Sequence, residues 1–211
     1  MICLQYMENY DLLKGKAGEL SCFLSADEAL RCARYRKEED RINFIFSRAI
    51  LKKVLNPGDP RRVNLKQDKW GKLYCAAGNA SAFRHFSLAH TDGMVALVFS
   101  ASGPVGIDIE KAHPLDYAEI LEAVSAPEEM AYFRDAADPS EAFYKVWTLK
   151  EACLKLMGSG FLNDPRKLNV LTLQNEDYSS RFEKIMGKFF LSVVAHKPAG
   201  EDIFTVRQVT V

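Results

Sequence analysis

Apolar residues recur at helical spacing over 38–55, where Ile42, Ile45, Phe46, Ala49 and Ile50 share one arc and Asn56-Pro57-Gly58 supplies a stop. The segment 141–157 is the strongest helix in the chain, and Gly158 is placed to end it. Two shorter helix starts have the form of a capping box, Ser25-Ala26-Asp27-Glu28 and Ser125-Ala126-Pro127-Glu128. In such a box the serine and the glutamate each satisfy the other's backbone donor. Elsewhere the pattern is that of strands. Residues 86–90 and 94–99 flank the turn Thr91-Asp92-Gly93, 105–110 follows Ser102-Gly103-Pro104, and 188–195 and 203–211 are the clearest strands near the C-terminus. Each half supplies helices and antiparallel-looking strands, which predicts an α+β fold and suggests a duplicated unit, although no internal sequence repeat establishes it.

A length of 211 residues fits one domain, or one built from two similar halves. Hydrophobic residues at 48% with 27% charged exclude a disordered chain, a collagen-like fibre and a disulfide-stapled miniprotein. Lys+Arg 28 against Asp+Glu 28 leaves no net charge, which argues against a protein that coats nucleic acid or an anionic membrane. Any anion site must come from local clustering. Cys3, Cys22, Cys32, Cys75 and Cys153 form no CxxC pair and read as reduced, mostly buried thiols. The first residues lack the basic region of a signal peptide, and no apolar run reaches the roughly 18–20 residues of a membrane span. A cytoplasmic protein is expected.

Within 105–110, Val105, Ile107 and Ile109 alternate with Gly106, Asp108 and Glu110. Period two sets the aliphatics against a core and projects both carboxylates from the other face, about 7 Å apart. They are either a solvated strand face or a seat for a hard cation such as Mg²⁺. On the helix 141–157, Tyr144, Thr148, Glu151 and Lys155 fall on one side, and Phe143, Val146, Trp147, Cys153, Leu154 and Met157 on the other. Glu151 and Lys155 form an i,i+4 pair. Lys150 falls in the apolar arc, where its ammonium must snorkel or meet a partner, which hints at a polar cleft beside the helix. Between positions 31 and 53 eight basic residues (Arg31, Arg34, Arg36, Lys37, Arg41, Arg48, Lys52, Lys53) face only Glu38, Glu39 and Asp40, a concentration that can mark an anion site. His90, at a strand end, can add a phosphate donor, whereas His85, His113 and His196 show no metal-ligand spacing.

Gly106-Ile107-Asp108-Ile109-Glu110-Lys111, followed by Phe143-Tyr144-Lys145-Val146-Trp147-Thr148-Leu149-Lys150-Glu151-Ala152-Cys153-Leu154-Lys155, resembles the 4′-phosphopantetheinyl transferases of the surfactin-synthetase-activating type. Gly71-Lys72 and Phe86-Ser87-Leu88-Ala89-His90-Thr91 add weaker support. The resemblance implies a pseudo-dimeric α+β fold, two similar α/β halves (1–104 and 105–211) with antiparallel sheets and the active site between them. It implies transfer of 4′-phosphopantetheine from coenzyme A to a serine of an apo acyl or peptidyl carrier protein, with release of 3′,5′-ADP. By motif position Asp108, Glu110 and Glu151 correspond to ligands of Mg²⁺, with Mn²⁺ as an alternative, and Lys155 to a pyrophosphate contact. Arg31, Arg36, Lys72 and His90 correspond to contacts with the nucleotide and its 3′-phosphate.

That chemistry suits the residues: phosphoryl transfer is mostly positioning and charge neutralisation. The acceptor serine needs a base, and Glu151, directly or through a water on the metal, is the candidate. The chain departs from the family pattern at Leu73, where proline is common, at Ala89, where serine is common, and at Glu28, where a base can stand. These changes touch nucleotide affinity rather than the metal site. The segment after Gly158, with Phe161, Leu162, Arg166 and Lys167, is the expected docking region for an acidic carrier protein, and the chain is expected to be a monomer. Two alternatives stand beside it: a Mg²⁺-dependent nucleotide pyrophosphate hydrolase using the same carboxylates, and a non-catalytic module that binds coenzyme A or a carrier protein, against which the intact Asp108, Glu110, Glu151 and Lys155 argue.

Overall fold

The computed structural model describes residues 2–8, 10–76, 83–158, 164–173, 177–197 and 204–208. The first half runs β1 (Ile2–Glu8), α1 (Tyr10–Leu20), α2 (Ala26–Ala33), α3 (Glu38–Leu55), a small hairpin of β2 (Leu65–Gln67) and β3 (Leu73–Cys75), then β4 (His85–Thr91) and β5 (Met94–Ser100). The second half runs β6 (Val105–Lys111), α4 (Tyr117–Val124), α5 (Pro127–Arg134), α6 (Pro139–Met157), β7 (Tyr178–Ile185) and β8 (Phe189–His196), and β9 (Phe204–Gln208) closes the chain.

The two sheets repeat one arrangement. The first is ordered β4-β5-β1-β9 and the second β6-β8-β7, so in each the strand that opens the half lies beside the last strand of its hairpin. Both pairings are antiparallel, and β9 returns to lie parallel to β1. Each half also interposes short helices and one long helix before its hairpin, a duplication visible in topology though not in sequence. The sheets meet where β4 lies beside β6, and hydroxyls bridge the seam: Ser87 accepts from the Ile107 N–H at 3.4 Å and Thr91 from the Lys111 N–H at 3.2 Å.

Alternation divides the core. Met94, Ala96 and Val98 join Val105, Ile107, Ile109 and the inward residues of β8 in a central cluster. Val95, Leu97 and Phe99 point the other way, onto Ile42, Phe46, Ala49 and Ile50 of α3. On the far side α6 packs on β8 through Tyr144, Val146, Leu149 and Ala152 against Phe190 and Val194.

Several expectations change. The side of the helix 141–157 that carries Glu151 and Lys155 is covered at Tyr144 and Thr148: both are buried, and Thr148 Oγ1 lies 2.7 Å from Ser192 Oγ of β8. The second capping box shifts by one residue, with the Glu129 carboxylate accepting the Ala126 N–H at 2.7 Å and the Ser125 hydroxyl buried without a partner. Lys150 faces no cleft. Its ammonium pairs with fully buried Glu129 at 2.7 Å and donates to the carbonyls of Pro165 and Leu168, fastening α6 to α5 and to the turn at Pro165–Lys167. Of the strand expected over 203–211, the described part is β9.

Candidate active site

Two elements bring the carboxylates together, and one glycine sets their spacing. A Cβ on Gly106 would stand 1.9 Å from the Ala152 carbonyl oxygen, so only glycine lets α6 lie directly on β6. That contact covers the face from which Asp108 projects. Asp108 is therefore not a solvated strand residue: it is 4% exposed, and its Oδ1 accepts from Lys155 Nζ at 2.7 Å. Its other oxygen is buried with no hydrogen-bond partner. Glu110, two residues on, is half-buried near the Thr91 hydroxyl, with the Trp147 side chain placed to favour its charged form. Glu151 lies one turn before Lys155 on α6.

The electrostatics mark a crowded anionic patch. Burial, then the Asp108 charge, push Glu110 up to about 7, with Glu151 adding to the rise and Trp147 and Lys155 opposing it. Burial also raises Asp108, against the pull of Lys155, and burial followed by Asp108 raises Glu151. Carboxylates that hold one another's protons on are short of positive charge. Among the described residues no three His, Cys, Asp or Glu side chains stand close enough to cage a metal by themselves. Mg²⁺ does not require such a cage, because it usually takes one or two carboxylates and fills its shell with phosphate oxygens and water. Hard oxygen donors and one unclaimed buried oxygen fit that ion.

Beside the patch opens a cleft of about 310 Å³. Glu151, Leu154 and Lys155 form one wall, and Arg31, Tyr35, Phe44 and Arg48 the opposite one. Gln67, Trp70 and Lys72 of the β2–β3 hairpin and His90 of β4 complete it. His90 opens to the cleft, and burial of its other side, then the charge of Lys155, depress its pKa. Lys72 lines the cleft, yet its ammonium donates to the carbonyls of Lys155 and Leu156 at 2.7 and 2.9 Å, tying the hairpin to the C-terminal end of α6. Arg31 donates to Gln67, whereas Arg36 is exposed between α2 and α3 and is not among the cleft-lining residues. Phe161 and Leu162 lie outside the described residues. Gln67, Trp70 and the Trp147 contact to Glu110 carried no sequence signal, while Arg48 was visible only as one of many basic residues.

A model of the 4′-phosphopantetheinyl transferase superfamily matches residues 104–206. The 4′-phosphopantetheinyl transferase AcpT of Salmonella typhimurium is 30% identical over 153 residues, covering 71% of this chain and 74% of AcpT. The chain belongs to the 4′-phosphopantetheinyl transferase superfamily. Other members align over less of their length: HetI of Nostoc sp. is 28% identical and Sfp of Bacillus subtilis 27%, over 67% and 65% of this chain and 62% of each relative. The chain thus spans under two thirds of the length of these two relatives. All of β6 and α6, with their carboxylates, falls inside the superfamily match.

Proposed function

We propose that this superfamily member transfers 4′-phosphopantetheine from coenzyme A to a serine of an apo acyl or peptidyl carrier protein. The observation that carries the reading is the placement of Glu151 and Lys155 on one wall of a cleft whose other walls are basic and aromatic, with Asp108 paired to Lys155 and Glu110 under the influence of both carboxylates. In this assignment the second half supplies the carboxylates and the first half most of the nucleotide contacts.

The serine Oγ attacks the β-phosphorus of coenzyme A, the bond from that phosphorus to the bridging oxygen breaks, and 3′,5′-ADP departs with the electron pair. Glu151, which lines the cleft, accepts the serine proton directly or through a water. Lys155, anchored on Asp108 and lining the cleft, is assigned to the departing pyrophosphate oxygen. Mg²⁺ or Mn²⁺, held by Asp108 and Glu110 with Glu151, would add charge neutralisation at the pyrophosphate. Arg31 and His90 take the nucleotide half, and Tyr35, Phe44 and Trp70 offer aromatic surface to its base.

Arg166 and Lys167, in the turn after α6, are assigned to carrier docking. Arg166 is held by an exposed two-pronged pair with Asp164, both contacts 2.9 Å, and an acidic carrier helix would compete for it. Both halves of the repeat lie in one chain, so the cleft needs no second copy, and the protein acts as a monomer in this reading. Among the described residues no helix is long and apolar enough to cross a membrane, in keeping with a cytoplasmic enzyme.

The test is intact mass of an apo carrier protein incubated with this protein, coenzyme A and Mg²⁺, with and without EDTA. A phosphopantetheine adduct that EDTA abolishes and Glu151→Gln nearly abolishes is the expected result. Release of 3′,5′-ADP without a carrier protein would favour the hydrolase, and coenzyme A binding without any adduct the binding module.

A further inference from the structure

Among the described strands, β2 and β3 form a two-stranded sheet of their own, and this hairpin reaches from the first half of the chain to the second. Leu65, Leu73 and Cys75 pack it against the core of the first half. Its turn is braced from within. The Asp68 carboxylate accepts the N–H groups of Trp70 and Lys72 at 2.8 and 2.9 Å, and the Asp68 N–H donates to the Lys72 carbonyl at 2.9 Å. On the side of α2, Arg31 donates to Gln67, whose amide donates in turn to the Gly71 carbonyl at 3.0 Å. Lys72 therefore projects from a fixed base.

It projects onto the end of a helix. The last carbonyls of an α-helix have no partner inside it, and terminal turns fray. At the end of α6 the Leu154 carbonyl takes the Gly158 N–H at 3.0 Å, and the Lys72 ammonium takes the next two carbonyls, Lys155 at 2.7 Å and Leu156 at 2.9 Å. Two of the three donors of that ammonium are spent there. Gly158 leaves room for the lysine stem, since a Cβ at that position would stand 3.2 Å from Lys72 Cδ. A cation at this end also opposes the negative pole of the helix. The turn so held carries Lys155, whose Nζ lies 2.7 Å from Asp108 Oδ1. Its Leu156 nitrogen is one of the atoms set against Gly106 where α6 lies on β6.

We infer that Lys72 is a positioning residue: by capping α6 from the opposite half of the chain, it fixes the backbone of Lys155 and with it the placement of the Lys155 ammonium at the departing oxygen. This role rests on the transferase reading, and it differs from the nucleotide contact that the motif position of Lys72 implies. A nucleotide contact acts on donor affinity. A cap on the helix that carries Lys155 acts mainly on turnover, because Lys155 meets charge that develops only as the bond breaks.

The experiment measures kcat and KM for coenzyme A and for 3′-dephospho-coenzyme A in wild type, Lys72→Met and Lys72→Arg, by intact mass of the carrier protein, with amide hydrogen exchange across α6 in each protein. Lys72→Met lowers kcat about 10- to 100-fold and shifts KM for either donor by less than about threefold. It also speeds exchange in the last turn of α6 while the middle of the helix stays protected. Lys72→Arg, which can still donate to the carbonyls, recovers most of kcat and of the protection. Should the methionine variant not fold, Lys72→Gln, too short to reach both carbonyls, takes its place with the same expectation. A variant that keeps kcat and raises KM for coenzyme A more than for 3′-dephospho-coenzyme A would return Lys72 to the nucleotide and overturn the inference. So would unchanged exchange in the last turn of α6. A wild type that forms no carrier adduct would overturn the transferase reading itself, and the inference with it.

Discussion

Gly106→Ala adds one methyl group at the contact between β6 and α6. That carbon would meet the Ala152 oxygen at 1.9 Å and the Leu156 nitrogen at 2.6 Å, both backbone atoms that no rotamer change can move. Relief requires α6 to retreat from β6 by about 1 Å. Overpacking of this kind costs about 1–3 kcal/mol, and the upper end applies because the helix must shift as a body. For a chain of this size about 3 kcal/mol corresponds to a Tm lower by about 6–12 °C. The same retreat lengthens the 2.7 Å contact of Lys155 with Asp108 and displaces Glu151, and a misplacement of about 1 Å can cost about 100-fold in rate. Differential scanning fluorimetry and the initial rate of carrier-protein mass shift read the two effects side by side. A variant that melts within about 1 °C of wild type and keeps its rate would refute the claim that the close approach sets the site.

Lys150→Met strands the fully buried Glu129 carboxylate and is expected to destabilise by about 3–5 kcal/mol in urea unfolding, with Lys150→Met/Glu129→Leu recovering part of the loss. Lys72→Met removes the tie to the last carbonyls of α6; if that tie is its main role, the variant lowers Tm more than it raises KM for coenzyme A, and the reverse outcome would return Lys72 to the ligand. Burial, then Lys72 and Arg84, depress the His85 pKa below 6.5, so the unfolded chain binds the proton first and stability falls as pH drops through 6.5. His85→Gln should flatten a plot of Tm against pH between about 7 and 5. Reversing the charge at Arg166 and Lys167 together should raise KM for the carrier protein with little change in KM for coenzyme A.

Long periodic segments were legible in the sequence, and what covered them was not. The predicted helix over 38–55 coincides with α3, and Gly158, at φ 70°, ends α6 as expected. Period two correctly grouped Asp108 with Gly106, but periodicity names the residues of a face without naming its neighbour, so the burial of Asp108 under α6 was invisible. Strands as short as β2 and β3 offer three residues each, too few for any period to show, so of the cleft wall they carry Lys72 was reached through its motif and Gln67 and Trp70 were missed.

The charged residues set among apolar helical positions held the most information. Lys150 on α6 and Arg48 and Lys52 on α3 are all buried, and in each half the partner is a glutamate in the first turn of the preceding short helix. Glu28 and Glu129 each also accept the backbone N–H that opens their helix, so the clasp is one device used in both halves of the repeat. In the second half it is closed: Glu129 takes one lysine and the Val170 N–H at 2.7 Å, and Lys150 spends its other donors on carbonyls. In the first half it is open, because the same kind of carboxylate is shared by two cations and one oxygen is left at 3.5 Å. A fold that needed only the clasp would have stopped at Lys52. The extra cation, Arg48, stands at the cleft surface beside the Phe44 ring and is what distinguishes the first clasp from the second.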